Sequence, residues 1–138
     1  MSKNILFTST ILLSSLFATE IYFGNIDQVS GTAEILYNTD QDISGFQFDF
    51  TGGSITSAYG GEANNSDFTI STSSNTVLGF SFTATSLTNG NSLTLINIEF
   101  TPNPNVLEFC LENIVLSDTN GLNIEYSVGT CYDVLQYD

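Results

Sequence analysis

The sequence has almost no cationic side chains. Among its 138 residues Lys and Arg together number one, and there is no His and no Trp. The single basic residue is Lys3. General acid–base chemistry near neutral pH usually depends on His, and Arg or Lys usually binds phosphate or a developing anion. Because none of these groups follows Lys3, we expect a protein that is not an enzyme.

Acidic residues are in large excess over basic ones. Fifteen Asp and Glu residues give a formal net charge of −14 at pH 7. Nucleic acids and anionic lipid surfaces bind proteins chiefly through Lys and Arg, so this composition excludes both as partners. The partners that remain are neutral polysaccharides, basic proteins and divalent cations.

The N-terminal segment has the pattern of an export signal. Lys3 precedes the run Ile5–Phe17, in which only small hydroxyl residues interrupt apolar ones, and Ala18 ends a candidate cleavage site. We predict that residues 1–18 are a signal peptide and that residues 19–138 are one domain, secreted or held at the cell surface. The alternative is an uncleaved hydrophobic anchor, which would then be the chain's contact with a membrane, although the run is short for a span.

Two cysteines, Cys110 and Cys131, are present in this chain, which is predicted to be exported. Disulfides persist in oxidising compartments, and a bond closing a loop of about 20 residues stabilises a fold by about 3 kcal/mol. Two isolated cysteines without His or Lys fit neither a zinc site nor a reactive thiol. We therefore predict a structural disulfide.

Short apolar runs between polar turns predict an all-β domain. Ile43–Phe50 alternates Phe46, Phe48 and Phe50 with polar residues, which is typical of a strand with one buried face. Similar runs predict nine further strands: Ile21–Ile26, Thr32–Asn38, Phe68–Ser71, Val77–Ala84, Leu93–Phe100, Val106–Leu111, Ile114–Ser117, Leu122–Val128 and Cys131–Leu135. No window past residue 20 has a helical stripe.

Glycine-containing segments separate these strands. Asn-Gly steps mark turns at Thr88–Asn91 and Asp118–Gly121, and two glycine pairs, in Gly52–Ser54 and Tyr59–Gly61, are interpreted as loop tips. Each of these strands has one apolar face, which a second layer of the fold must cover. The length of the chain suits one hydrophobic core. We predict an antiparallel two-sheet β-sandwich of the jelly-roll type.

Several runs together resemble the cohesin-like, carbohydrate-binding-module-like superfamily. Residues 31–35, Gly-Thr-Ala-Glu-Ile, are similar to an early strand of that family. Residues 43–50, Ile-Ser-Gly-Phe-Gln-Phe-Asp-Phe, resemble its I-x-G-F-x-F-x-L hallmark, and residues 78–82 resemble a mid-domain strand. Residues 91–100 fit the G-x-L-x-x-I-x-F segment that follows. The resemblance extends over most of residues 24–135.

Cohesins of that family are nine-stranded sandwiches that bind dockerins, on scaffold proteins that organise polysaccharide-degrading enzymes. The resemblance implies a non-catalytic extracellular recognition module for a protein partner or a polysaccharide. It consists of packing positions, so it assigns no binding residue to this chain. The alternative is a self-associating structural subunit of a surface layer, filament or virion, a homo-oligomer whose size would depend on concentration.

One acidic turn is a candidate metal site. Asp40 and Asp42 lie between two predicted strands, and oxygen ligands of this kind suit Ca²⁺. Ile43 occupies the position where an EF-hand loop needs Gly, so the hypothesis is a simpler turn site. The alternative is an ordinary acidic hairpin turn, and no other cofactor is indicated.

Exposed aromatic rings are the other candidates for ligand binding. In a chain without Trp the tyrosines are the main candidates for a sugar-binding platform, and packing within the fold is the alternative for each of them. They are Tyr22, Tyr37, Tyr59, Tyr126, Tyr132 and Tyr137. Asn64-Asn65-Ser66 also has the N-glycosylation pattern, in a segment interpreted as a polar loop.

Overall fold

The structure is a computed structural model that describes residues 18–134. The predicted signal peptide, apart from Ala18, lies outside these residues, as do Leu135 and Tyr137. Ten strands and one helix are described: β1 Glu20–Asp27, β2 Thr32–Thr39, β3 Gly45–Thr51, β4 Gly53–Tyr59, α1 Gly61–Asn65, β5 Thr69–Thr72, β6 Thr76–Phe80, β7 Gly90–Pro102, β8 Glu108–Ser117, β9 Ser127–Val128 and β10 Tyr132–Asp133. In this part of the chain no helix has the length and apolarity of a membrane span.

The strands form two five-stranded sheets. The first sheet has the order β4-β7-β2-β1-β9, and the second has the order β10-β8-β3-β6-β5. Paired strands are antiparallel except β1 and β9, which run in parallel, with Glu20 opposite Ser127 and Ile21 opposite Val128. The predicted two-sheet β-sandwich is confirmed, with one parallel pair that an all-antiparallel arrangement does not include.

Alternation along β3 divides its side chains between core and surface. Phe48 is 0% exposed and Phe50 is 1% exposed. The Phe50 ring centroid lies 4.7 Å from that of Phe100 on β7, so the two sheets meet through these rings. Because burying such a side chain contributes about 1.5–3 kcal/mol, the aromatic side of β3 faces inward. Gln47 and Asp49 therefore face outward.

Two segments differ from the sequence-based interpretation. Gly53–Tyr59 is an edge strand paired with β7, so the prediction of loop tips was wrong for Gly53, Ser54 and Tyr59, which belong to this strand. Ile55 is the only buried residue of this strand, so its sequence does not show the alternation of apolar and polar residues that predicts a strand. Helix α1 includes Asn64, which the sequence-based interpretation placed in a polar loop. Ala63 is the buried residue of this helix.

The C-terminal half also differs in its strand boundaries. The predicted strands Val106–Leu111 and Ile114–Ser117 are one strand, β8, whose register with β3 shifts near Asn113. Asn113 has a φ of 50°, which lets the strand continue past the irregularity. The predicted strand Leu122–Val128 is reduced to the two residues of β9.

The turn between β1 and β2 requires a glycine. Gly31 has a φ of 77°, and its N–H donates to the Asp27 carbonyl oxygen at 2.9 Å. Its own carbonyl oxygen accepts the Phe100 N–H at 2.8 Å, and a Cβ there would collide with the Phe100 carbonyl. Gly31 thus joins the turn to β7 and sets the position of Asp27 at the end of β1.

Candidate functional site

The predicted disulfide is present between Cys110 on β8 and Cys131, just before β10. Cys110 follows Phe109 on β8, so their side chains lie on opposite sides of the second sheet. Because the Phe109 ring is in the core, the disulfide lies on the outer side. The Glu108 carboxylate is 3.5 Å from the Cys110 sulfur. Because a disulfide sulfur is neither a thiol nor a thiolate, this is a contact and not a metal site.

Asp40 and Asp42 are both exposed in the segment between β2 and β3. Among residues 18–134, the only cluster of three Asp, Glu, Cys or His ligand atoms is that of Glu108, Cys110 and Cys131. A calcium ion at Asp40 and Asp42 would need backbone carbonyls or water as further ligands. The calcium site stays a prediction.

We expect salt to raise the melting temperature, because residues 18–134 include no basic side chain to pair with the carboxylates. Calcium bound at Asp40 and Asp42 would add about 2.7 kcal/mol at a hundredfold excess over its Kd. Thermal denaturation in calcium chloride and in sodium chloride at matched ionic strength separates binding from screening. A larger rise in melting temperature with calcium than with sodium, lost in Asp40→Asn/Asp42→Asn, supports the site. Equal rises with the two salts mean that the two aspartates form a solvated turn.

The outer face of the second sheet has an apolar part. Leu78 on β6 and Val115 on β8 both lie opposite Gln47 on β3, so the three side chains form one row across the sheet. Leu78 is 36% exposed and Val115 is 46% exposed. Phe80 lies in the next row, and its ring meets that of Phe82, 76% exposed, edge-on at 4.7 Å. Leu78, Phe80, Phe82 and Val115 are here called the apolar face.

This surface is concave near its centre. Gly45 has no side chain beside Phe80, and a depression of 170 Å³ lies there. Its lining includes the apolar Leu78, Phe80 and Val115 and the polar Gln47 and Ser117. A Cβ at Gly45 would come within 2.6 Å of Ser117 Oγ, so a larger residue would fill the depression. The apolar face can therefore receive a small apolar side chain of a partner.

The neighbouring part of the same face is acidic. Asp49 accepts hydrogen bonds from Thr76 Oγ1 at 2.6 Å and from Asn113 Nδ2 at 2.8 Å. The bond from Thr76, followed by that from Asn113, lowers the pKa of the Asp49 carboxyl, so it is ionised at neutral pH. Glu112 lies opposite Asp49 on β8 and is exposed. The apolar face is thus bordered by a fixed negative charge.

The apolar face was not predicted from the sequence. The strand predicted over Val77–Ala84 includes both Phe80 and Phe82, but β6 ends at Phe80. A signal was present, because Leu78 and Val115 are out of phase with buried neighbours such as Val77. A contiguous group of apolar residues at outward positions of neighbouring strands indicates an interaction surface.

Among the tyrosines of residues 18–134, Tyr59 is the one with an exposed side chain, at 48%. Tyr37 is buried, its hydroxyl donates to the Thr88 carbonyl oxygen at 2.6 Å, and burial raises its pKa well above the usual value. The hydroxyls of Tyr22 and Tyr126 donate hydrogen bonds within the fold, and the ring of Tyr132 packs against another aromatic ring. Tyr59 is therefore the sugar-platform candidate that the structure leaves accessible.

Tyr59 begins a row of polar side chains on the outer face of the first sheet. It lies opposite Asn97 on β7, and Asn97 lies opposite Glu34 on β2. Glu34 Oε1 accepts the backbone N–H of Asn25 on β1 at 3.1 Å. An open depression of 420 Å³ follows this row and is also lined by Asp27. Asn25, Asp27, Glu34, Tyr59 and Asn97 are here called the tyrosine groove.

Known structures share this arrangement of sheets. The non-cellulosomal cohesin from the hyperthermophilic archaeon Archaeoglobus fulgidus superimposes with a TM-score of 0.59 at 12% identity, over 87% of this chain and 93% of that one. The third ScaB cohesin of R. flavefaciens, solved in complex with a group 1 dockerin, gives 0.61 at 10% identity, over 89% and 99%. The fold is a cohesin-like β-sandwich. The cohesin-like prediction is thereby confirmed for the fold.

A third cohesin structure matches over a similar share of both chains. The cohesin of the Coh-OlpC-Doc435 complex, a type I cohesin–dockerin complex from Clostridium thermocellum, gives a TM-score of 0.55 at 8% identity, over 82% of this chain and 90% of that one. At such identities the likeness concerns the fold alone. No protein-family model matches the sequence, and no curated protein sequence matches it.

Proposed function

We propose that this chain is an exported, non-catalytic protein-binding module of the cohesin type, which binds its partner through the apolar face. The observation that supports this most is the exposure of Leu78, Val115 and Phe82 on one side of one sheet. Outward positions of an antiparallel sheet are usually polar, and a group of apolar residues there marks an interaction surface. A polar border around an apolar centre is also the usual composition of protein interfaces.

The partner we propose is a protein with basic residues beside an apolar surface. Asp49 and Glu112 border the apolar face, and the whole chain has a net charge of −14. Complementary charge on a partner speeds association and disfavours acidic competitors. The cohesins of the R. flavefaciens and C. thermocellum complexes are each seen with a dockerin, which supports a dockerin-like partner for this chain.

Composition and the disulfide support the remaining parts of the proposal. A chain with no His and a single basic residue lacks the usual groups for acid–base chemistry and for binding a developing anion, which favours a non-catalytic role. The Cys110–Cys131 bond favours an oxidising compartment, and with the N-terminal pattern it supports secretion or display at the cell surface.

Replacing Leu78 by Asp is expected to weaken partner binding at least about tenfold, or about 1.4 kcal/mol. The new carboxylate would lie in the apolar face near Asp49, where binding would remove it from water without a matched cation. The immobilised chain is used to isolate a partner from extracellular proteins of its source, and calorimetry then gives the Kd for each variant. Ser54→Asp, the same change in charge at an exposed position of β4, is the control and should bind normally.

Two outcomes would contradict this assignment. A partner that binds wild type, Leu78→Asp and Ser54→Asp with one Kd makes its contacts elsewhere on the molecule. Size-exclusion chromatography over a range of concentrations tests the other occupant. A dimer that forms in wild type and is abolished by Leu78→Asp would place a second copy of this chain on the apolar face.

A further inference from the structure

The tyrosine groove and the apolar face lie on the outer sides of different sheets. A ligand in the groove would therefore leave the apolar face free for a protein partner. We propose that the tyrosine groove is a second binding site and that it takes neutral polysaccharide chains. This site is independent of the protein partner proposed above, and each can be tested while the other is intact.

The ring of Tyr59 provides the stacking surface of the groove. Tyr59 ends the edge strand β4, and its carbonyl oxygen accepts a hydrogen bond from Asn97 Nδ2 at 3.4 Å. Its own hydroxyl has no hydrogen-bond partner within residues 18–134. A tyrosine ring offers an apolar face for the C–H groups of a sugar ring and a polar tip for a sugar hydroxyl. Tyr59 is thus an accessible aromatic group at the end of a β-strand.

Polar side chains continue from this ring across the sheet. Asn97, Glu34 and Asn25 lie on three successive strands, and with strands about 4.8 Å apart the row from β4 to β1 is roughly 14 Å long. In the described structure the Asn25 side-chain amide and Glu34 Oε2 make no hydrogen bond. Amides donate and accept hydrogen bonds, and carboxylates accept them from hydroxyl groups. An extended chain rich in hydroxyl groups matches this row.

The far wall of the groove is held in place before any ligand binds. Asp27 Oδ1 accepts the backbone N–H groups of Val29 and Ser30, each at 3.0 Å, in the turn that Gly31 closes. Groups that are already ordered lose little conformational entropy on binding. The depression of 420 Å³ also lies within the range of about 300–1,000 Å³ typical of small-ligand sites.

Charge selects the class of ligand. The groove contains the carboxylates of Asp27 and Glu34 and no basic group, so it repels uronic or sulfated chains. Within the described residues these two carboxylates are not part of any three-ligand cluster suited to a cation. A neutral polysaccharide satisfies the ring and the hydrogen-bonding groups without opposing the charge.

Affinity electrophoresis of the intact protein tests this proposal. The native gels contain hydroxyethylcellulose, galactomannan or laminarin as neutral probes and polygalacturonate as the acidic comparison. We expect slower migration in at least one neutral gel and none in polygalacturonate. Tyr59→Ala should lower the affinity at least about tenfold, Asn25→Ala should lower it too, and Tyr59→Phe, which keeps the ring, should retain most of it.

The controls keep this result separate from the protein-binding proposal. Leu78→Asp alters only the apolar face. A neutral polysaccharide in the gel should therefore slow this variant as much as it slows wild type, whatever the effect of the change on a protein partner. Thermal denaturation verifies that Tyr59→Ala and Asn25→Ala remain folded. Wild type that is unshifted in all three neutral gels overturns the proposal. So does a shift that Tyr59→Ala retains in full, or one that is equally large in polygalacturonate.

Discussion

Replacing Phe48 by Ala is expected to lower the free energy of unfolding by about 3–5 kcal/mol. Phe48 is 0% exposed on β3, at the centre of the second sheet, and its ring lies parallel to that of Phe46 with centroids 6.2 Å apart. The smaller side chain would leave a cavity that the surrounding strands can close only in part. Small domains are stable by about 5–15 kcal/mol, so the loss is a large fraction of the total.

Urea denaturation followed by circular dichroism measures this effect, since a chain without Trp has no indole fluorescence to follow. Phe82→Ala is the matched control. It makes the same chemical change at a ring that is 76% exposed, and we expect it to alter stability by no more than about 0.5 kcal/mol. Equal losses in the two variants would mean that Phe48 is not part of the core.

Removing the disulfide in Cys110→Ala/Cys131→Ala is expected to lower stability by about 3 kcal/mol. The bond joins residues 21 apart, and without it the unfolded chain has more conformations available. It also joins β10 to β8, where only Tyr132 and Asp133 pair with the longer strand. We expect β10 to detach first, because two residues supply few hydrogen bonds of their own.

Denaturation of this double variant beside wild type gives the loss in stability. Hydrogen exchange should show lost protection at Tyr132 and Asp133 before the rest of the second sheet. Mass spectrometry of the native protein after alkylation, with and without prior reduction, should find no free thiol until it is reduced. Two alkylated cysteines in unreduced protein would contradict a disulfide in the native state.

The sequence predicts the strands whose alternation is strong and misses those whose alternation is weak. Phe46, Phe48 and Phe50 indicate the buried side of β3 because each ring gains by leaving water. In Gly53–Tyr59 only Ile55 is buried, and backbone pairing with β7 places the strand at the edge of its sheet. Such pairing depends on a partner distant in sequence, which no local pattern contains.

The candidate surfaces could not be predicted in full for a related reason. In the apolar face, Leu78 on β6 and Val115 on β8 lie on either side of β3. In the tyrosine groove, Tyr59 on β4 and Glu34 on β2 lie on either side of β7. Both depend on strand register, and a shift of one residue would turn each side chain to the other side of its sheet. The sequence predicts Tyr59 as one candidate of six, and only the assembled sheet distinguishes it.

The disulfide also determines how the domain would respond to a pulling force. Tension applied at residues 18 and 134 passes through the covalent bond between Cys110 and Cys131, so the residues between them are not stretched. At about 3.4 Å per residue this shortens the fully extended chain by roughly 70 Å. β9 lies in the shielded loop and pairs in parallel with the start of β1, the first strand to receive the load. A module of this design would extend less than its number of residues suggests, and β9, which pairs with the first strand to be loaded, would lie outside the stretched part of the chain.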